Sequence, residues 1–452
     1  MTNCPVILRL PATKSGSRDR RDISTTMMKQ QTKKRLALGL IAATIGSGLT
    51  LGSGTTPVSA DPTQLNALVG MGSDTTQDVM NAMAGFNYGQ NYKAINSGAS
   101  SNYRHLISFD AAPAQSASDN CVTPVINGPT FTRPNGSTAG RKALYAGSGL
   151  STAGWTGVDF VKDDLSVIGT CGTAVNISGA VNFARSSSLK SGTGTDVVFI
   201  PMGRDAVTFA SYRPGGGTPV TSLTRKQLID SYDNATLEVI NDPDGSGTLT
   251  IVPCGIQTSS GTHSFWRDTV VKSDASKEAL AVATCLTAGA RLQESKGDLL
   301  KARGDTLDAT LNDFVVIVGF SAAAYIAQAN GVSAPNGYAD ITIGGISDDS
   351  EAGTGGATLG SPVSGVAPTL VPNGTFYTSA GHGRDVYNVI RRSLIVNTGT
   401  GVLLNNAYTS LFATASSQVC TNTAVLNKFG FASIGNCGDY TTNLKAWDTG
   451  AA

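Results

Sequence analysis

Short apolar runs alternate with polar Gly/Ser-rich loops and with amphipathic segments along most of the chain. The apolar runs predict strands at Val197–Pro201, Ala206–Ser211, Leu249–Pro253 and Phe314–Gly319. The amphipathic segments predict helices at Gln77–Ala84, Arg141–Ala146, Leu223–Tyr232 (capped by Thr221 or Ser222), His263–Val271, Glu278–Ala290 and Ala322–Gln328. Strands that alternate with helices indicate an α/β fold.

One pattern recurs four times: an apolar run, a loop of Gly, Ser and Thr, and the start of a predicted helix. The four loops lie within 70–76, 135–140, 184–188 and 257–262. A helix N-terminus carries unpaired N–H groups and the positive end of the helix dipole, so such loops bind anions without a full positive charge. Because Ser and Thr also cap ordinary helices, one loop alone would be weak evidence. Four together indicate a site for a small oxyanion.

Charge is unevenly distributed between the first 60 residues and the rest. The chain of 452 residues has 33 Lys/Arg and 32 Asp/Glu, but nine of the basic and two of the acidic residues precede Asp61. This leaves 24 basic and 30 acidic residues, a net charge of −6. An acidic body argues against nucleic acid as the main partner.

The first 60 residues have the layout of a secretory signal peptide. Basic Lys29–Arg35 precedes the apolar run Leu36–Gly52, and Val58-Ser59-Ala60 fits a cleavage site that leaves Asp61 as the new N-terminus. A membrane anchor is the alternative, which the short, Gly-rich run disfavours. No Cys follows the run, so a lipid anchor is not expected. We therefore expect a secreted, extracytoplasmic protein.

Six cysteines remain after cleavage, and an even number in an exported chain favours disulfides. Six cysteines allow 15 pairings, and we expect neighbours to pair because this closes local loops. The expected bonds are Cys121–Cys171, Cys254–Cys285 and Cys420–Cys437. No cysteine pair has metal-site spacing and the chain has three His, so we expect neither a metal nor another cofactor.

Several segments together resemble the phosphate-binding proteins of bacterial ABC importers, in particular a secreted actinobacterial branch. They occur in the same order as in that family and span nearly the whole mature chain. The segments are GMGSDTTQDVM (70–80), RPNGSTAGRKAL (133–144), VNFARSSS (181–188), FIPMGRDAVTFA (199–210), LTRKQLIDSY (223–232), SSGTHSFW (259–266), VGFSAAAYIAQANG (318–331) and LNKFGF (426–431).

The resemblance implies a two-lobed, periplasmic binding protein-like (type II) venus-flytrap fold with two crossover strands, near Val197–Phe209 and Phe314–Ala322. Lobe one would comprise 61–203 and 320–452, and lobe two 204–319. Residues 347–374 are rich in Gly and Ser and predict a long loop. The ligand would lie between the lobes.

The family's ligand positions fall on residues of all four loops. They are Asp74, Thr75, Ser137, Ser187, Ser260, Gly261 and Thr262. Two charged positions of the family differ here: its third-loop Asp falls on Ser187, and its Arg before the fourth loop falls on Ile256 or Gln257. The resemblance therefore leaves Asp74 to accept the proton of monohydrogen phosphate, and Arg185 to supply the guanidinium. Arg141 and Gln257 are further candidates.

Structural roles for the same residues stay open. Ser137, Ser260 and Thr262 are also typical helix caps, and so is Asp74. Arg185 is alternatively the partner of a surface carboxylate.

The function implied is that of a monomeric, non-enzymatic receptor that captures phosphate or a related oxyanion for an ABC permease. The alternative is a secreted binding-fold protein with a cell-wall or surface role or phosphatase-like activity, for which His263 beside Ser260 and Ser264 is the candidate base.

Overall fold

The computed structural model describes residues 67–86, 90–98, 104–112, 120–150, 159–160, 175–233, 235–245 and 247–448. The predicted signal peptide and Cys171 lie outside these residues and stay predictions. Among the described residues, no helix combines the length and the apolar character needed to cross a membrane.

The strands are short apart from three long ones at the centre of the fold. In chain order they are β1 (Ala67–Gly72), β2 (His105–Ser108), β3 (Cys121–Val122), β4 (Phe131–Thr132), β5 (Asp159–Phe160), β6 (Val175–Asn176), β7 (Phe183–Ser186), β8 (Val197–Tyr212), β9 (Ser222–Thr224), β10 (Val239–Asn241), β11 (Thr248–Pro253), β12 (Phe314–Ser321), β13 (Thr342–Ile343), β14 (Gly345–Asp348), β15 (Val363–Ser364), β16 (Val371–Pro372), β17 (Gly383–Arg391) and β18 (Leu444–Lys445).

The helices lie between these strands. They are α1 (Gln77–Met83), α2 (Ser137–Gly147), α3 (Arg225–Asp233), α4 (Gly261–Phe265), α5 (Ala275–Ala281), α6 (Ala283–Leu286), α7 (Gly297–Leu307), α8 (Ala322–Ala329), α9 (Gly374–Thr378), α10 (Ala407–Phe412), α11 (Gln418–Thr421) and α12 (Thr423–Lys428). A π-helical turn, Trp266–Val270, continues α4, and 3-10 turns occur at Pro214–Gly216, Tyr338–Asp340 and Arg392–Leu394. The predicted α/β class is confirmed.

Ten described strands form one mixed sheet, ordered β10-β11-β12-β8-β17-β7-β1-β2, with β13 and β18 also on β8. Parallel pairs β1–β2, β1–β7 and β11–β12 occur alongside antiparallel pairs that involve β8 and β17. The 16-residue strand β8 runs through the middle of the sheet. Sequence patterning predicted two strands here, but the residues between them continue the pairing with β17, since Asp205 is paired with Arg384.

The two ends of β8 pack into different hydrophobic clusters. Val198 and Ile200 belong to a cluster with Phe183 and Phe412, whereas Val207 and Phe209 belong to another with Trp266. We call these the first and second halves of the molecule. The second cluster also contains Ile346, Leu359, Phe376 and Tyr377, residues that the predicted boundaries assign to lobe one. The lobe boundaries themselves stay a prediction.

Several predicted helices and loops differ from the structure, including α2, which begins at Ser137, four residues before the predicted Arg141. Helix α3 starts at Arg225, because Ser222–Thr224 forms β9, and Thr224 rather than Thr221 or Ser222 receives the amide of Gln227 on its hydroxyl. The helix predicted at Glu278–Ala290 is two short helices, α5 and α6, with Val282 between them. The first begins earlier than predicted because Asp274 caps it by accepting the amides of Ser276 and Lys277. Within 347–374, β15 and β16 pair with each other.

The third strand-loop-helix unit is also different. Ala184, Arg185 and Ser186 belong to β7, where they pair with β17, so the loop begins only at Ser187. The described residues from Ser187 to the start of β8 form bends and turns without a helix. The pattern was misleading because Ser and Arg are typical loop residues, and nothing nearby in the sequence shows that they form a strand. Their pairing partner lies about 200 positions away.

Two of the three expected disulfides are confirmed, Cys254–Cys285 and Cys420–Cys437. The first joins the end of β11 to α6 and the second joins α11 to the segment after Phe431. Cys171 is not described, so its bond to Cys121 stays a prediction.

Candidate functional site

The loops after β1, β4, β7 and β11 converge on one buried, polar region. Gly136 and Ser259 are in close backbone contact, since a Cβ on Gly136 would stand 2.4 Å from the Ser259 carbonyl oxygen. Thr138 N donates to the same oxygen at 3.1 Å. Gly136 has φ +96°, a conformation that side chains rarely adopt. The glycine therefore allows the second and fourth loops to meet.

The first group in this region contains two serines, Ser137 and Ser187, and the glycine beside them, Gly261. We call the two serines the serine pair. The amide of Ser187 donates to Ser137 Oγ at 3.0 Å, and the two hydroxyl oxygens are 3.3 Å apart. A Cβ on Gly261 would stand 2.4 Å from each of these hydroxyls. Glycine at this position allows three loops to approach each other.

The second group consists of three hydroxyls that surround one carboxylate. We call the hydroxyls of Thr75, Ser260 and Thr262 the hydroxyl cluster; the carboxylate is that of Glu294. Thr75 and Thr262 both donate to Glu294 Oε1, the latter at 2.8 Å, and Ser260 donates to Oε2. The Thr75 and Thr262 hydroxyl oxygens lie 3.1 Å apart. Ser260 additionally caps α4 by accepting the amide of His263 at 3.0 Å. The capping role left open for Ser260 and its place in this cluster therefore coexist.

Arg384, in β17, supplies the guanidinium of the hydroxyl cluster. Its Nη2 donates to Thr262 Oγ1 at 2.7 Å, to Thr75 Oγ1 at 3.1 Å and to Asp205 Oδ2 at 2.8 Å. Asp205 is fully buried and also accepts the amide of Ala323 at the start of α8. Arg384 thus contacts one loop from each half of the molecule while its charge is balanced by Asp205 at the centre of the sheet.

One nitrogen of Arg384 is unusual. Nη1 is buried and has no hydrogen-bond partner among the described residues. A buried, charged donor without a hydrogen-bond partner raises the free energy of the folded state. An acceptor placed next to this nitrogen would therefore stabilise the protein.

Asp74 lies at the edge of the hydroxyl cluster. Its Oδ2 accepts the side-chain amides of Gln293 and, at 3.3 Å, of Gln257. Burial, and secondarily the nearby Glu294 carboxylate, raise the pKa of Asp74 to about 8. In this arrangement the protonated form is favoured at neutral pH. Asp74 does not cap α1 through its side chain; Thr76 stands at that position.

Arg185 is placed away from the hydroxyl cluster. Its guanidinium is fully buried, donates to Ser108 Oγ at 2.6 Å and to the carbonyl oxygens of Gly70, Gly72 and Ser73, so it braces β1 and the loop that follows. Within the described part of the chain, its hydrogen-bond partners include neither a surface carboxylate nor a cluster hydroxyl. Burial lowers its pKa to about 10.

Arg141 and Gln257 also have defined partners. Arg141 forms an ion pair with Asp448 and donates to Ser186 Oγ at 3.0 Å and Thr138 Oγ1 at 3.2 Å, next to the serine pair. Gln257 accepts the amide of Glu294 at 2.8 Å on its side-chain oxygen. Gln257 therefore helps to position Glu294.

His263 does not face the neighbouring serines. Its ring nitrogen Nε2 lies 2.9–3.0 Å from the carboxylate of Glu278, which also pairs with Arg291 at 2.6 Å. Among the described residues, no serine hydroxyl contacts this ring. No group of three or more His, Cys, Asp or Glu in the described part of the chain could hold a metal ion.

Glu294, Arg384 and Asp205 were not identified from the sequence. Glu294 lies after a predicted helix, without the strand-loop-helix pattern, and Arg384 follows the loop Gly381-His382-Gly383. The one available signal was three charged residues, Arg204, Asp205 and Arg384, within or beside otherwise apolar β-rich runs. A charge in such a run is rarely buried without a partner.

The chain is similar to several solved phosphate-binding proteins. One is described as a phosphate ABC transporter substrate-binding protein with bound phosphate, from Clostridium perfringens (12% identity, 81% of this chain and 99% of that chain, TM-score 0.40). Others are PstS from Borrelia burgdorferi (14% identity, 81% and 98%, TM-score 0.33) and a phosphate-binding protein from Stenotrophomonas maltophilia (12% identity, 82% and 91%, TM-score 0.34).

Neither a protein-family model nor a curated protein matches the sequence. With identities of 12–14% and TM-scores of 0.33–0.40, the likenesses to solved structures carry no argument about function. The function is therefore argued from the geometry of the site.

Proposed function

We propose that the protein is an extracytoplasmic receptor that captures a small oxyanion, with phosphate as the first candidate, and delivers it to an ABC permease. One observation carries the proposal. A buried carboxylate, that of Glu294, is bound by three hydroxyls from two loops, and two of these hydroxyls also contact Arg384. Hydroxyl and guanidinium donors around an oxyanion are the groups that bind phosphate in proteins.

The same donors suit a ligand held between two halves. Thr75 follows β1 in the first half, Ser260 and Thr262 follow β11 in the second, and Arg384 lies on β17 between them. An anion bound by all of them links the halves, and its burial strengthens each hydrogen bond because water is excluded.

The remaining predicted residues have supporting roles in this proposal. The hydroxyls of Ser137 and Ser187 lie beside Gly261 and extend the donor surface next to Ser260 and Thr262. Arg185 shapes the loop that carries Asp74 and Thr75, and Arg141 supports the serine pair. Arg384 takes the charged role that the family resemblance assigned to Arg185.

Calorimetry on the mature chain tests the proposal. We expect heat of binding with phosphate, and weaker or no heat with sulfate and with short organic phosphates. Heat with none of these anions would rule out an oxyanion receptor. The Thr75→Val and Thr262→Val variants remove one donor each and keep the side-chain shape, so each should weaken binding, by between about twofold and about tenfold. Thr358→Val, whose exposed hydroxyl donates to Ser347 O, is the matched control.

Delivery to a permease is tested separately. We expect the secreted protein to restore uptake of radiolabelled phosphate in cells that lack their own binding protein but retain a matching permease. Binding without restored uptake would leave an oxyanion-binding protein with another role.

A further inference from the structure

The Glu294 carboxylate is more than a neighbour of the candidate ligand site. It is 2% exposed, and its two oxygens accept hydrogen bonds from Thr75, Ser260 and Thr262. Its backbone amide donates to Gln257 at 2.8 Å, which fixes the residue over the cluster. A carboxylate is itself an oxyanion, so the protein's own side chain occupies the donors that the proposed ligand requires.

Each hydroxyl has a single proton to donate. A hydroxyl that donates to Glu294 therefore cannot donate to a second acceptor at the same time. Thr75, Ser260 and Thr262 can bind the oxygens of an external anion only if Glu294 gives them up.

We propose that Glu294 is an internal ligand of the oxyanion site, and that an external oxyanion binds by exchange with its carboxylate. The inference rests on the proposed function and adds to it the residue that sets the affinity. The exchange is non-covalent: three O–H···O bonds to the carboxylate are replaced by three to the incoming anion.

Arg384 supplies a reason for the exchange to proceed. The carboxylate satisfies the three hydroxyls, but Arg384 Nη1 stays buried without a partner among the described residues. A tetrahedral oxyanion has more acceptor oxygens than a carboxylate. It can therefore accept from the three hydroxyls and from this nitrogen together.

A cavity beside the cluster offers the displaced side chain a place to go. Glu294 lines it together with Ser295, Lys296, Gln328 and Asn336, and its volume of about 30 Å³ has room for about two water molecules, the size of a carboxyl group. The ammonium group of Lys296 contacts Asn336 at 2.8 Å and belongs to the same lining, so a displaced carboxylate would meet a positive charge. Asp74 and Asp78 line the cavity too, and burial raises the pKa of both, which favours their uncharged forms.

Removing the competitor should tighten binding. If Glu294 occupies the site about 90% of the time, the apparent dissociation constant is about ten times the intrinsic one. We expect calorimetry to give about tenfold tighter phosphate binding for Glu294→Ala. Glu294→Gln should give a smaller gain, because its neutral amide still occupies the site but accepts weaker hydrogen bonds than a carboxylate, and it keeps the test available should Glu294→Ala not fold. Glu351→Gln removes an exposed carboxylate and should leave the affinity unchanged.

Formate distinguishes two explanations for tighter binding by Glu294→Ala: that the Glu294 carboxylate had occupied the site, or that the variant has simply lost a negative charge. Formate is a carboxylate without a side chain and fits the space that Glu294→Ala vacates. We expect millimolar formate to raise the melting temperature of Glu294→Ala, but not that of the wild type or of Glu294→Gln, in which a side chain still fills the site.

The outcomes distinguish the inference from the proposed function. Wild-type binding of phosphate with equal or weaker binding by both Glu294 variants overturns the exchange and leaves the receptor function standing. Binding by the variants alone supports the internal ligand and overturns the receptor function. Binding by none of the proteins overturns both, and a formate effect on all three overturns occupancy by Glu294.

Discussion

Arg384 connects three separate parts of the site. Its guanidinium contacts Asp205 in β8, Thr75 after β1 and Thr262 in α4. Its charge is fixed and its fork of donors is rigid, which suits contacts with several oxygens at once. Its side chain therefore has two roles: it takes part in the proposed ligand binding, and it holds the loops of the site against the central sheet.

Arg384→Lys should separate these two roles. Lysine keeps a positive charge near Asp205 but cannot reach Thr75, Thr262 and a ligand together. We expect phosphate affinity to fall about 10–100-fold, as is usual for a lost charge-assisted hydrogen bond, with the melting temperature lowered only modestly. Calorimetry and thermal unfolding measure the two effects. Arg391→Lys, on the same strand, is the control, and equal affinity losses in both variants would contradict the assignment.

Asp74 should make stability depend on pH. Its pKa is raised from 3.8 to about 8 by burial first and by Glu294 second, so between these values the folded chain holds a proton that the unfolded chain has released. The protonated Asp74 side chain therefore contributes to the free energy of unfolding. This contribution is complete below pH 3.8, falls as the pH rises, and is lost above about pH 8. We expect the melting temperature of the wild type, relative to Asp74→Asn, to fall between pH 4 and 8. A constant difference over this range would contradict the raised pKa.

At the scale of elements, the site depends on loops that approach one another at glycines. Gly261, the first residue of α4, leaves no room for a methyl group between Ser137 and Ser187. The close approach of the α2 and α4 N-termini is therefore a consequence of sequence at two positions, Gly136 and Gly261.

Gly261→Ala should push these loops apart. The added Cβ would lie 2.4 Å from two hydroxyl oxygens, closer than side-chain contacts allow. We expect at least tenfold weaker phosphate binding with a small loss of stability, because the clash falls on loops rather than on the core. Gly374→Ala, which meets nothing within 4 Å at the first residue of α9, is the matched control. Unchanged binding in Gly261→Ala would show that the loops can separate without affecting the site.

The sequence predicted the local parts of the fold better than the long-range ones. Helices α1 and α8 and strands β11 and β12 fall within two residues of their predicted bounds, since local periodicity and caps specify them. Local patterning did not predict the continuity of β8, which only the family resemblance implied through its crossover strand near Val197–Phe209, because it depends on pairing between Asp205 and Arg384. Pairing across the chain leaves no local pattern.

The site was predicted unevenly for the same reason. Thr75, Ser260 and Thr262 are brought together, and Ser137, Ser187 and Gly261 lie beside them. Arg185 was assigned a ligand role because an Arg beside serines looks like a loop donor, yet its strand position turns it toward carbonyl oxygens of β1. Glu294 and Arg384 could be connected to the cluster only through tertiary structure.

At the scale of the whole molecule, the Cys254–Cys285 bond ties the strand before the hydroxyl cluster to the helix before Glu294. It closes a loop with a sequence separation of 31. The chain-entropy model assigns about 3–4 kcal/mol to a loop of this length.

Replacing both cysteines by alanine should therefore lower the free energy of unfolding by about 3–4 kcal/mol in urea. The reduced wild type should lose at least as much, because Cys420–Cys437 is reduced as well. The Cys420→Ala/Cys437→Ala double variant is the comparison, with a slightly smaller expected loss for its separation of 17. An unchanged urea midpoint for Cys254→Ala/Cys285→Ala would contradict a stabilising role.

Thr75 and Arg384 contact each other across 309 positions of the chain. A ribosome releases these residues far apart in time, and no growing chain that stops short of Arg384 can have the guanidinium of the site. Under the proposed function, anion capture is therefore a property that the polypeptide acquires only after Arg384 has been synthesised. Under the proposed function, a chain terminated before Arg384 would not compete with the complete protein for the anion.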